Sequence, residues 1–557
     1  MNSRDLMTRI FVPAMILKGH MDVKAMHRNA RNGKKVNDKL LFKILRKSEN
    51  SVYGKEYDFK NIKTIEDYRK KVPLTYYKDY EPYIERMIND EENVLVSARI
   101  EGYAQSSGSV GKRKFIPLTA DDIRIYTKYT VTRMLALADT YHKKHNGRGL
   151  KPDRGMYTGP AYNDYLPNGL ICSNVPDVAG RKLGFMYPYF INVPFKRLFS
   201  INEINYRYIN LRLSLENKNT MFLFSVFFKD VCDYLRYLEN NWEVLVDDIE
   251  KGKISDLAKA SEETKAELLK VIRPMPERAA ELRKEFEKGF DETIISRIWP
   301  NMSVFSGIGT STFTPFSKLA RKTTAGIPFD FGIYGASEGL FAACDELESA
   351  KQLLLTDSCY YEFIPIDDED KVYSIDELEK DKEYEIVITN QAGLYRYRCG
   401  DIIKVVDYLG ECPYIQFSRR YGQLLNVTGE KTTEEHVAAA VKAISQAANC
   451  EVNDWVVCVD MDANPFRYIL LIENKEGKDL SQYDEYADQA LNKINARYEY
   501  FVKLGKIGKV TIRNLKNGTN KSWMKKLIEG GAPTTQVKPV RILDTPEKEE
   551  FFLKNML

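Results

Sequence analysis

No Cys-x-x-Cys pair occurs among the eight cysteines of this 557-residue chain, which stand at Cys172, Cys232, Cys344, Cys359, Cys399, Cys412, Cys450 and Cys458. A dense disulfide framework is thereby excluded, and the expected setting is reducing and cytoplasmic. The five histidines (His20, His27, His142, His145 and His436) are too scattered for a zinc site by spacing. No Ser-His or Cys-His constellation marks a covalent nucleophile. No run reaches the ~18 apolar residues of a membrane span. Neither sign of charge dominates: 83 Lys and Arg face 79 Asp and Glu, a net of +4, which gives no strong case for nucleic acid or an anionic membrane. Repeats of ~20–50 residues and low-complexity tracts are missing too.

What is present is apolar bulk. Hydrophobic residues make up 43% of the chain, with 35 Tyr and 26 Phe, and the length exceeds what one core supports. Two or more domains are expected. The run Ile10-Phe11-Val12-Pro13-Ala14-Met15-Ile16-Leu17 superficially resembles a secretion signal. Pro13 interrupts it and no small-residue cleavage site follows, so a buried helix or surface anchor is the reading. From Arg28 to Lys47 the chain is strongly basic, with Leu40, Leu41, Ile44 and Leu45 at helical spacing. This predicts a helix with a solvated cationic face; a membrane-binding basic helix is the alternative.

Further along, Asp90 to Ile100 reads as a turn and a strand. Thr119 is placed to cap a helix over Asp121 to Ala138, and Met221 to Phe290 reads as mostly helical. Past Trp299 short apolar runs separated by Gly and Pro predict strands, including Tyr360 to Pro365 and Tyr384 to Thr389. The polar stretch Ser418 to Asn426 suggests a domain boundary. Beyond it come a hairpin (Trp455 to Asp460, Arg467 to Glu473) and helices near Asp479 to Tyr500 and Asn520 to Glu529.

Three segments carry chemistry. Ser106-Ser107-Gly108-Ser109-Val110-Gly111-Lys112-Arg113-Lys114 is a loop whose glycines let backbone N–H groups approach phosphate oxygens, with hydroxyl donors and cations beside them. It is not a Walker loop, and an ordinary hairpin turn between Ala104 and Phe115 would look similar. Tyr334-Gly335-Ala336-Ser337-Glu338 offers a carboxylate to a hard cation bridging phosphates, or caps a helix starting there. Tyr395-Arg396-Tyr397-Arg398-Cys399-Gly400-Asp401 ends in a carboxylate suited to two ribose hydroxyls, or in a plain turn before Ile402-Ile403-Lys404-Val405-Val406.

The loop resembles the phosphate-binding signature of adenylate-forming enzymes. More narrowly, the chain resembles the auxin-responsive Gretchen Hagen family of acyl-acid amido synthetases. Val72-Pro73-Leu74-Thr75, Tyr80-Glu81-Pro82-Tyr83-Ile84, Asn240-Asn241-Trp242-Glu243 and Trp299-Pro300-Asn301 carry the likeness. So do Tyr361-Glu362-Phe363-Ile364-Pro365, Ala392-Gly393-Leu394-Tyr395-Arg396-Tyr397-Arg398 and Gly531-Ala532-Pro533-Thr534-Thr535-Gln536-Val537-Lys538. The likeness runs from about Leu40 to Arg541. Val110, where a hydroxyl residue is usual, and a loop one residue shorter than in plant members are departures.

The resemblance implies an α/β protein with a large N-terminal adenylate-forming domain (1–422) of mixed sheets and packed helices. A small mobile C-terminal α/β domain (423–557) would follow. It implies ATP and Mg²⁺, with Ser106, Ser107, Gly108, Ser109, Gly111 and Lys114 on the phosphates and Glu338 on the metal. Tyr334, Gly335 and Ser337 would border the nucleotide, Asp401 would hold the ribose, and Arg420 and Lys431 would reach it near the hinge. Lys538 would reach the reacting phosphate or carboxylate. The implied reaction joins a small aryl, indolyl or aliphatic acid to an amino acid through an acyl-adenylate, in a monomer. Two alternatives stay open: an acyl-CoA ligase with a thiol acceptor, and a non-catalytic nucleotide-binding homologue. The stretch Asp153 to Asp177 diverges, so the acid is not named by the likeness.

Overall fold

The computed structural model describes residues 3–107, 113–158, 164–182, 184, 186–193, 205–310, 313–420, 423–529, 539–543 and 545–557. The chain forms two compact units, the first built from Met1–Ser106 and Lys114–Arg419, the second containing Arg420–Leu557.

Helix α1 (Ser3–Ala30) opens the first unit and runs through Pro13; α2 (Gly33–Ser48) follows. The spacing of Leu40, Leu41, Ile44 and Leu45 does bury one face of α2, while Lys35, Lys39, Lys43 and Arg46 stay in water. α1 lies against the helix Val131–Asn146, so close that a Cβ on Gly19 would collide with the Thr132 carbonyl.

Strand β1 (Ile100–Ser107) starts later than the sequence suggests. Val94 and Leu95 are buried but not in a ladder. The carbonyls of Asn93 and Val94 instead accept the Val52 and Tyr53 N–H groups (2.8 and 3.0 Å), satisfying orphan donors at the start of the helix Val52–Glu56. β1 is flanked by β2 (Arg113–Thr119) and Ile171–Ser173 in a four-stranded sheet.

Thr119 caps a helix as expected, its N–H donating to Asp122 Oδ2 at 2.8 Å. That helix, Ala120–Tyr129, ends where one continuous helix was predicted. Thr130 leaves helical geometry (φ −101°, ψ −99°), and the Thr130 and Thr132 hydroxyls bond preceding carbonyls, competing with the helical ladder. The helical stretch expected from Met221 begins instead with a strand, Phe222–Phe227. Its run of apolar residues suits the interior of an all-parallel sheet, between Met156–Tyr157 and Val304–Ile308, with Phe329–Asp330 at the edge. The helix Phe228–Lys251 follows.

The largest element is a seven-stranded sheet. Its spatial order is Tyr360–Pro365, Glu383–Thr389, Tyr397–Leu409, Cys412–Arg420, Gln352–Leu354, Gly339–Ala343 and Ile333–Ala336. Its strands pair antiparallel wherever register is defined. The adjoining core is rich in tyrosine: Tyr53 stacks on Tyr395 (4.9 Å between centroids) and on Tyr80 (5.8 Å).

In the second unit Val452–Asp460 and Arg467–Asn474 form the predicted hairpin, and Gly508–Leu515 adds a parallel strand. The helix expected over Asp479 to Tyr500 divides into Asp484–Ile494 and Ala496–Lys503. The Asn495 side chain accepts the Arg497 and Tyr498 N–H groups (both 3.1 Å), capping the second helix and so ending the first. Thr519–Glu529 is helical, as read from the sequence.

Candidate functional site

Tyr334 and Gly335 lie on the strand Ile333–Ala336, and Ser337-Glu338 is the two-residue link to Gly339–Ala343, with Ala336 opposite Gly339. No helix starts at Glu338; the segment is a hairpin. The strand's entry is fixed by Asp330, fully buried, whose carboxylate takes both Nη atoms of Arg133 (2.8–3.0 Å). Asp330 also accepts from the Ser306 hydroxyl (2.7 Å) and the Gly332 N–H (3.1 Å).

The hairpin tip meets β1: Ser337 Oγ stands 3.5 Å from the Gln105 carbonyl, one residue before Ser106. The Glu338 side chain is 5% exposed. Its Oε1 is 3.3 Å from the Tyr397 hydroxyl, and its main-chain carbonyl accepts from Asn390 Nδ2 at 2.7 Å. Asn390 at the same time folds its own loop, Oδ1 accepting the Ala392 and Leu394 N–H groups (3.0 and 2.9 Å).

Asp401 is no turn residue. It lies inside the strand Tyr397–Leu409, 3% exposed, after Gly400 at φ +72°. The Tyr334 hydroxyl donates to its Oδ2 at 3.0 Å, joining the second and third segments across the sheet. Tyr334 itself is set between Phe341 and Phe417 (5.2 and 5.7 Å).

The arginines of the third segment are scaffold. Arg396, at φ +48°, pairs with buried Glu362 (2.9 Å) and donates to the Arg69 and Val72 carbonyls (3.0 and 2.9 Å). Arg398 is bound by Glu385, which pushes its pKa further up. Thr75 Oγ1 and the Tyr80 hydroxyl both donate to the Tyr395 carbonyl (2.9 and 2.7 Å). The strings around Thr75, Tyr80 and Glu362 therefore clamp the backbone that presents Tyr397 and Asp401.

Of the other predicted positions, Lys114 is the second residue of β2, its ammonium 5.2 Å from the Tyr77 ring centroid; burial pushes the Tyr77 phenol up to about 12. Ser106 and Ser107 end β1. Gly108, Ser109, Gly111 and Lys538 lie outside the described residues. Arg420 closes the strand Cys412–Arg420; Lys431 belongs to the second unit, at φ +49°, its N–H donating to Asn426 Oδ1 (3.3 Å). Sequence reasoning missed Asn390 and the bond Tyr397 makes. The Asn before Ala392-Gly393 was a turn signal, but its reach to Glu338 spans 52 residues.

Among the described residues no group of three or more His, Cys, Asp or Glu is gathered. One buried carboxylate, that of Glu338, fits Mg²⁺, which keeps waters and takes substrate phosphates as ligands rather than a protein cage.

The structure thus brings together a buried carboxylate at a hairpin tip, near the end of β1, and a second one held by a tyrosine. Models of the GH3 family match the chain in three parts: the N-terminal domain at residues 22–329, the central domain at 352–420 and the C-terminal domain at 435–547. The chain belongs to the GH3 family. It is 27% identical to the 4-substituted benzoates-glutamate ligase GH3.12 of Arabidopsis thaliana, over 92% of this chain and 93% of that protein. Identity is 26% to the indole-3-acetic acid-amido synthetase GH3.8 of Oryza sativa subsp. indica (92% and 88% covered). Among solved structures, the AtGH3.15 acyl acid amido synthetase in complex with 2,4-DB shares the fold, with a TM-score of 0.64 at 21% identity over 97% of this chain and 96% of that one.

Proposed function

We infer that this chain is an ATP-dependent acid–amino acid ligase. A carboxylate oxygen of the acid attacks the α-phosphorus of ATP; the bond to pyrophosphate breaks and an acyl-adenylate forms. The amino group of an amino acid then attacks the acyl carbon, AMP leaves with the bonding electron pair, and the amine gives up its proton. Carboxylate alone is a poor electrophile, and adenylation supplies its leaving group. Positioning and charge stabilisation account for catalysis and require no covalent nucleophile, which fits a sequence without a Ser-His or Cys-His constellation.

The observation that carries this reading is the gathering of Glu338, Tyr397, Tyr334 and Asp401 on one sheet, beside the end of β1. In our assignment Asp401 accepts the ribose hydroxyls and Tyr334 borders the base. Glu338 holds Mg²⁺, which neutralises charge on the departing pyrophosphate when bound. Ser106 to Lys114 cradles the phosphates, and Lys538 stabilises the reacting oxygens. Tyr397 and Asn390 hold Glu338 in place through its carboxylate and its carbonyl. Relatives named for benzoates and indole-3-acetic acid support an aryl or indolyl acid as the partner class.

The test is acid-dependent ATP–pyrophosphate exchange over aryl, indolyl and aliphatic acids, followed by mass detection after adding amino acids or CoA. Amide conjugates are expected. Thioesters alone would replace the acceptor by CoA, and no exchange with any acid would remove the catalytic reading.

A further inference from the structure

Helix α1 is apolar on two sides, and only one of them is covered. Val12, Met15, Ile16 and Met26 are buried, and His20 fastens that side to Asp139 (2.8 Å). A helix with apolar residues all round is ordinarily buried all round. Here Ile10 is 60% exposed and Leu17 and Met21 are each 65% exposed. Met7, Ile10, Ala14, Leu17 and Met21 recur at alternating steps of three and four, so they form one stripe down the open face.

The same stripe continues as Lys24, Arg28 and Arg31, all exposed. No carboxylate shares the open face: Asp5 pairs with Arg154 (2.9 Å), and Asp22 is buried and takes Lys18 (2.7 Å). Lys24, Arg28 and Arg31, with His20, His27 and Leu137, line a groove of ≈ 480 Å³. The two carboxylates nearest the groove, Asp139 and Asp345, are buried and taken by His20 (2.8 Å) and His27 (3.0 Å), and none lines it. An apolar stripe running into such a basic groove is complementary to lipid acyl chains below anionic headgroups.

We propose that this face of α1 docks the protein on an anionic lipid surface, Ile10, Leu17 and Met21 entering the headgroup boundary and Lys24, Arg28 and Arg31 meeting the phosphates. A second copy of the chain fits less well. Parallel copies would set Lys24, Arg28 and Arg31 against themselves, and antiparallel copies would leave them past Met7 with no carboxylate to meet. Peripheral docking needs no crossing helix, and among the described residues no helix is long and apolar enough to cross a membrane.

The test is co-sedimentation of the full chain with phosphatidylcholine vesicles, with and without ~30 mol % phosphatidylglycerol. Two variants accompany it, Leu17→Glu/Met21→Glu and Lys24→Glu/Arg28→Glu/Arg31→Glu. Every substituted side chain is exposed, and unchanged melting temperatures confirm folding. The parent protein should sediment only with anionic vesicles and be released by about 0.5 M salt. Each variant should partition at least tenfold less, and the triple charge reversal roughly a hundredfold less, at about fivefold per cation. No sedimentation with anionic vesicles, equal sedimentation with neutral ones, or full retention by either variant overturns the proposal. So does a dimer that Leu17→Glu/Met21→Glu dissociates without any lipid binding.

Discussion

Asp401→Asn separates a ribose acceptor from a structural carboxylate. In the structure Asp401 is 3% exposed and accepts from the Tyr334 hydroxyl at 3.0 Å. Asparagine keeps the shape but gives up the charge and one acceptor. Hydrogen bonds to a charged group contribute about 1.5–3 kcal/mol each. At 1.4 kcal/mol per decade, loss of one such bond weakens ATP binding roughly 10–150-fold. Tyr334→Phe is the matched control, because it removes the same protein hydrogen bond and leaves the carboxylate. It should cost about 0.5–1.5 kcal/mol of stability and leave the affinity for ATP within a few fold. Isothermal titration with ATP and 2′-deoxy-ATP closes the cycle. The parent should prefer ATP, and Asp401→Asn should bind the two nucleotides alike. A parent that does not distinguish them, together with equal losses for both in Asp401→Asn, would refute ribose recognition by this residue.

The other predictions concern separate parts of the chain. Lys538→Ala should slow pyrophosphate exchange ~10²–10³-fold, as loss of an oxyanion donor does, and an unchanged exchange rate would remove Lys538 from adenylation. Asp330→Ala leaves the Arg133 guanidinium buried (1% exposed) without its carboxylate, so chemical denaturation should report a loss of about 3–5 kcal/mol; a loss under about 1 kcal/mol would contradict the pairing. Burial holds the His436 imidazole below its ordinary 6.5, so as pH falls the unfolded chain binds the proton first. Stability from this group is complete above about 6.5 and is lost as pH drops through the lower folded value; His436→Gln should flatten that slope in urea titrations at a series of pH values, and an identical slope would disprove it.

Local signals were legible where one residue type decides the structure. Leu40, Leu41, Ile44 and Leu45 gave the buried face of α2, and Thr119 with Asp122 gave a helix start. The strand at 360–365 and the hairpin across 460–467 followed from short apolar runs and turn residues. Readings failed where a distant partner or a competing hydroxyl decided. Val94 looks like a strand residue until Tyr53 takes its carbonyl, and Phe222–Phe227 looks helical until neighbouring strands pair with it on both edges. In the site, Glu338 and Asp401 were singled out on chemistry, but their placement was not. A hairpin tip and a mid-strand position depend on pairing with Gly339–Ala343 and Glu383–Thr389. Asn390 and Tyr397 touch Glu338 through contacts of 52 and 59 residues' separation, which no local pattern encodes.

The clamp around Tyr395 also dictates when the protein can first exist. Thr75, Tyr80 and Leu95 reach the Tyr395 backbone and hydroxyl across 320, 315 and 300 residues. At about 5–20 residues per second, a ribosome needs on the order of 15–65 s to deliver that partner. Through that interval the apolar surface of Tyr53, Phe59 and Tyr80 waits without its mate, exposed to aggregation or chaperone capture. A chain ended after Thr389 should therefore be found in the insoluble fraction, whereas one ended after Arg419 should be soluble. The first tyrosines of this enzyme to be made thus wait for a partner as many as 315 residues downstream of Tyr80, a delay that final stability does not shorten.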